Sequence, residues 1–143
     1  MSRCLVAALC LLATVASCAT HEARPAFRRG ILIDDRGISV PLPPPSLADE
    51  PAQEVDVEGT VPGEDSLVGG TRLHLEDLDG DAATSVEVDS AAATFAVRGI
   101  AIDLTANCLE LWLEAPDGRE SERTQVHAEV TGPQEVRTVL GCE

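Results

Sequence analysis

Asp77, Asp79 and Asp81 stand at i, i+2 and i+4 in the run Glu76-Asp77-Leu78-Asp79-Gly80-Asp81. Carboxylates so spaced could gather hard oxygen ligands around a calcium ion. Counted from Asp77 as a calcium loop, however, the sixth position is Ala82 instead of the turn glycine, and the twelfth is Val88 instead of the closing glutamate. The competing reading is an Asp-Gly turn between two strands, flanked by acids for solubility. A chain without a cofactor is therefore the first expectation, and calcium the alternative. His21 lies near the N-terminus, and His74 and His127 fall in mid-strand positions expected to face solvent. No serine sits in a nucleophile elbow, and no His–Asp constellation follows from the spacing. Catalysis is not expected, and no catalytic residue is assigned.

The elements that would carry these residues are strands. From about residue 54 the apolar residues recur with period two between turn signals. Val55, Val57 and Val61 alternate with acids and small residues, as do Leu73 and Leu75 with Arg72, His74 and Glu76. Val86 and Val88, then Phe95 and Val97, continue the pattern. In 108–114 the leucines 109, 111 and 113 take one face, with Cys108 and Trp112 opposite. Segments 125–130 and 135–140 complete it, and Asp79-Gly80, Asp117-Gly118 and Gly132-Pro133 supply turns. About seven short strands without a helical stretch predict an all-β fold, a single antiparallel sandwich over residues 54–143.

Within that stretch, Ala93-Thr94-Phe95-Ala96-Val97-Arg98-Gly99-Ile100, followed by Asp103-Leu104-Thr105-Ala106-Asn107-Cys108-Leu109, resembles the G-x-F-x-F-x-G-V core of carboxypeptidase-regulatory-like (transthyretin-like) sandwich domains. Alanines 91 to 93 stand where those domains carry a glycine, and Val97 where they carry a second aromatic. The resemblance implies an aromatic core strand followed by a glycine turn, on a module of the kind found in bacterial surface lipoproteins. It transfers no catalytic residue.

The N-terminus has its own chemistry. Met1-Ser2-Arg3 precedes a charge-free apolar run over residues 4–15, of signal-peptide length. Val15-Ala16-Ser17-Cys18 then resembles the lipobox of bacterial lipoproteins, in which the cysteine thiol receives a diacylglycerol. The resemblance implies a signal peptide over 1–17, lipidation at Cys18, and residence in the bacterial cell envelope, at the outer membrane if the cell is Gram-negative. The alternatives are secretion after cleavage at Ala19, and an uncleaved anchor. The run falls short of the roughly 20 residues a spanning helix needs.

Assigning Cys18 to lipid removes Cys4 and Cys10 with the signal peptide and leaves Cys108 and Cys142 as one pair, in a compartment where disulfides persist. A bridge between them would restrict the unfolded chain by roughly 3–4 kcal/mol. That matters for a small core built from Val, Leu, Ile and Ala, in a chain whose only aromatics are Phe27, Phe95 and Trp112. Zinc is the rival use of two cysteines, without a CxxC pair or a close histidine to support it.

Without residues 1–17 the chain keeps nine arginines, no lysine and 25 acids, a formal charge of −16. Such a surface argues against nucleic acid, whose phosphates need neutralising. Residues 18–53 read as a flexible Pro-rich tether. Arg24, Arg28 and Arg29 lie near the lipid, and Pro41 to Pro51 form an extended spacer. The segment 31–40 could be a hairpin that docks on the head or stays mobile. The functional expectation is a lipid-anchored sandwich with a structural or protein-interaction role, whose partners are the membrane, through its lipid, and an envelope or surface protein. The alternative is a calcium- or small-ligand-binding surface module using the 76–81 turn.

Overall fold

Alternation along the strands decides the layers. In the computed structural model, which describes residues 30–63 and 67–142, there are eight strands and no helix. They are β1 (Ile38–Ser39), β2 (Ala52–Thr60), β3 (Arg72–Asp77), β4 (Ala83–Glu87), β5 (Thr94–Asp103), β6 (Leu109–Glu114), β7 (Thr124–Gly132) and β8 (Glu135–Leu140). A three-stranded sheet runs β1-β2-β5 and a five-stranded sheet β4-β3-β6-β7-β8, antiparallel throughout. The chain is thus an open all-β sandwich. The expected signal peptide, Cys18 and the arginines at 24, 28 and 29 lie outside the described residues.

Between the sheets, Leu73, Leu75, Leu109, Leu111, Leu113 and Val126 of the large sheet meet Val55, Val57, Phe95, Val97, Ile100 and Ile102 of the small one, all buried. Along β5 the buried phase changes from odd to even between Val97 and Ile100. Arg98 and Gly99 are both exposed at the change, opposite the irregularity at Val55/Val57 in β2. This is a β-bulge, which resets the alternation so that both halves of β5 face the core. Gly99 takes a φ of 65° there, a left-handed conformation open to glycine at little cost.

The tether expectation is corrected over its C-terminal part. Residues 30–51 form a strap against the sandwich, and the head does not begin at residue 54. Ile31, Ile33, Ile38 and Leu47 enter the core, Ile38 and Leu47 with no exposed surface. The physical reason is that without the strap the small sheet has only β2 and β5 against five strands, which leaves apolar area uncovered, and these four side chains fill it. The strap's backbone is also satisfied. Leu32 and Thr60 exchange both backbone hydrogen bonds at 2.9 Å, the Leu47 amide donates to Pro133 O at 2.7 Å, and Pro51 O accepts from Leu104 at 2.7 Å. Gly59 permits the approach: a Cβ there would lie 2.6 Å from Leu32 O and 2.5 Å from the Phe95 ring. Of the two fates open to 31–40, docking is the one observed, and its Ile38–Ser39 pair, β1, is the strand beyond the seven expected.

Candidate functional site

The solvent face of the five-stranded sheet holds the chain's most unusual surface feature. Because the leucines of β6 point inward, Trp112 must point out. Its register partner on β3 is His74, and the two rings stack with centroids 5.1 Å apart and planes 10° from parallel. From the β7 side, the Arg123 guanidinium lies 3.9 Å from the indole centroid, a cation–π contact. Carboxylates hold both neighbours. Glu114 Oε2 is 2.7 Å from His74 Nε2, and Glu110 accepts from Arg123 at 2.9 Å and from Gln125 at 3.1 Å. His74 is therefore stacked and half-buried instead of freely solvated. The Trp112 Nε1–H is buried without a hydrogen-bond partner, a state that costs free energy in the isolated protein.

The acidic turn is built differently from a cation loop. Asp77 closes β3 and is 3% exposed. Its Oδ1 accepts from the Asp79 amide at 3.2 Å and the Cys108 amide at 3.3 Å. The carboxylate so ties the β3–β4 turn to the start of β6. Asp79 and Asp81 are exposed. Among the described residues no three His, Cys, Asp or Glu side chains are grouped to hold a metal ion, so the structure does not bring Asp77, Asp79 and Asp81 together as a ligand set.

Cys108 and Cys142 lie at disulfide distance, with Sγ atoms 2.10 Å and Cα atoms 5.7 Å apart. They join the start of β6 to the end of β8. Asn107 reinforces this corner: its Nδ2 donates to Ala128 O at 3.1 Å and its Oδ1 accepts from the Ala128 amide at 2.7 Å, extending the β6–β7 ladder by a side chain. His127, on the outer face, places Nδ1 2.7 Å from Gly141 O.

On the small sheet, Arg98 donates to Asp56 at 2.6 Å and also pairs with Glu58, while the Gly99 amide reaches Asp56 Oδ1 at 3.0 Å. Burial pushes the Asp56 carboxyl up, but the Arg98 and Gly99 donors outweigh it and hold the group below the usual aspartate value. Asp103 is likewise lowered by the Thr105 hydroxyl and amide. These contacts fasten the bulge and the β5 terminus.

The alternation that set the leucines of β6 inward already placed Trp112 opposite them. What it could not supply was the strand order β4-β3-β6-β7, which brings His74 and Arg123 to that ring. Arg123 and Asn107 were missed for this reason, since neither carries a local signal. No protein-family model, curated protein or solved structure matches the chain, so the carboxypeptidase-regulatory-like resemblance is without support, while the sandwich stands on the structure.

Proposed function

We propose that this chain is a lipid-anchored, extracytoplasmic β-sandwich with a protein-interaction role and no catalysis, its docking surface being the Trp112 face of the five-stranded sheet. The observation that carries the reading is the His74–Trp112–Arg123 stack. Tryptophan and arginine are the residues that most often dominate interface energy. Here cross-strand neighbours hold them in place, His74 by stacking on Trp112 and Glu110 by pairing with Arg123. Residues 38–143 carry five arginines and 22 acids, so the partner is expected to present a basic protein surface. Against a catalytic role, His74 and Asp77 are both engaged in structural contacts.

Anchoring rests on Val15-Ala16-Ser17-Cys18. With the strap docked from residue 30, the connection from Cys18 spans at most about 40 Å when fully extended. The head is then held near the bilayer, with the strap part of it.

Two measurements test the halves separately. Mass spectrometry of the native protein from membranes should find an acylated Cys18, and Cys18→Ser should release the chain from the membrane fraction; an unmodified Cys18 in membrane-bound protein would sink the anchor. A photo-reactive residue at the exposed Glu76, beside the stack on the same face, should cross-link a basic envelope protein, whereas one at the exposed Ala101 on the other sheet should not. Equal cross-linking from both positions would remove the Trp112 face as the docking surface.

A further inference from the structure

A sandwich has four outer strand edges, and each open one is a template for pairing with another chain. Three of the four carry covering contacts or a bulge here. On β8 the Thr138 amide donates to Asp35 O at 2.7 Å. The neighbouring β1 turns the Ile38 amide to the Thr138 hydroxyl at 2.8 Å, so the strap seals both edges on that side. On β5 the Val61-to-Ala93 bond sets the ladder parity and leaves Thr94 and Ala96 pointing outward. Thr94 O is taken by the Asp89 amide at 2.9 Å, the bulge interrupts the edge at Arg98–Gly99, and Asp103 O accepts from Ala106 and Asn107.

The β4 edge is covered less: just beyond it the Asp89 amide donates to Thr94 O of β5 at 2.9 Å, and along it only Arg72 reaches Ser85. Its register to β3 pairs Arg72 with Glu87, His74 with Ser85 and Glu76 with Ala83. The bonds Asp77 N to Ala82 O and Val88 N to Thr71 O show that the alternate pairs exchange the ladder hydrogen bonds. The amides and carbonyls of Ala83, Ser85 and Glu87 therefore face outward. Of these, Ser85 O alone has a contact, from the exposed Arg72 Nη2 at 3.2 Å. No bulge, proline or lysine guards the edge, and residues 82–86, Ala-Ala-Thr-Ser-Val, are uncharged in a chain carrying 25 acids.

We infer that β4 pairs antiparallel with β4 of a second copy of this chain, about a two-fold axis through Ser85. The edge is its own complement in that arrangement. Ser85 meets Ser85 of the second copy, Ala83 meets Glu87, and Glu87 meets Ala83, so every outward amide finds an outward carbonyl. Within β4 Glu87 faces an alanine and Thr84 faces Val86; acids meet only past the strand ends, where the same register sets Asp81 opposite Asp89. A basic external strand is disfavoured because residues 82–86 offer it no charge to pair with. The two five-stranded sheets become one, and the two Trp112 stacks share a single face. The inference does not depend on lipidation, so it can fail or hold apart from the anchoring proposal.

Register gives the test. In a hydrogen-bonded antiparallel pair the Cα atoms are about 5.5 Å apart, within the range a disulfide spans. Full-length chain carrying Ser85→Cys should form a covalent dimer under mild oxidation, beyond any formed by the wild type. Ala83→Cys should not cross-link to itself, but should cross-link to Glu87→Cys when the two are mixed. Ser85→Pro, which removes an outward amide and no ladder bond, should keep the circular dichroism of the fold and abolish the dimer in light scattering. Because two acidic heads repel, raising salt should strengthen the association. No cross-link with Ser85→Cys, equal cross-linking from Ser85→Cys and Ala83→Cys, a dimer that survives in folded Ser85→Pro, or association weakened by salt would each overturn the inference.

Discussion

The backbone amide of Ile38 donates to the Thr138 hydroxyl at 2.8 Å, across 100 residues of chain. Both groups are buried, and the Thr138 amide in turn donates to Asp35 O. The strap and the last strand so close the sandwich against each other. Thr138→Val should destabilise the fold by about 1–3 kcal/mol, because the Ile38 amide loses its acceptor while remaining buried. Thr138→Ser should recover much of the loss, and Ile38→Ala should cost about 2–5 kcal/mol. Denaturant titration reads all three. An Ile38→Ala variant as stable as wild type would mean that the strap does not belong to the folded core.

The Cys108–Cys142 link spans 34 residues of sequence. Replacing both cysteines by alanine should lower stability by about 3–4 kcal/mol through the freed unfolded chain. Unfolding with and without reductant should show the same difference in the wild type and none in the double variant. Equal stability of the oxidised and reduced wild type would contradict this.

Asp56 and Asp103 both hold their carboxyls below the usual aspartate value. A group lowered on folding contributes stability above its unfolded value, about 3.9, and loses that contribution as pH falls through the lower folded value. Stability should thus be flat near neutrality and decline below about pH 4. Asp56→Asn should lower stability at pH 7, and its difference from wild type should shrink on acidification. A difference that grows as pH falls would reverse the assigned sign.

Calcium should leave the thermal midpoint of the full chain unchanged, because Asp77 points inward to the amides of Asp79 and Cys108. Asp77→Ala should nevertheless destabilise by about 1–3 kcal/mol, since it strips those amides of an acceptor. A calcium-induced shift that disappears in Asp77→Asn would reinstate the turn as a cation site.

The strands were readable because burial imposes period two, which survives in Leu73/Leu75 and Leu109/Leu111/Leu113 whatever lies across the sheet. The bulge was also visible in principle, as the phase change between Val97 and Ile100. The strap was not. Ile31, Ile33, Ile38 and Leu47 are scattered among turn residues and prolines, and their burial depends on an uncovered area that exists only once both sheets have formed. The Trp112 stack falls between these cases. Its outward direction follows from the leucines beside it, but its neighbours come from strand order, which alternation does not encode. The acidic turn misleads because local spacing suggests a chelate, whereas Asp77 is claimed by an amide 31 residues away.

A chain held at residue 18 and loaded at its head would carry the force through the strap. Leu32 is met first, and its two bonds to Thr60 should open before Ile38 leaves Thr138 or Leu47 leaves Pro133. The longer ladders of β2–β5 and β3–β6 would then still be intact. Pulling a single molecule from residue 18 should show a short extension ahead of the main rupture, and a single all-or-none rupture would refute it. On that outcome the strap would act as a mechanical fuse, yielding while the sheets behind it stay folded.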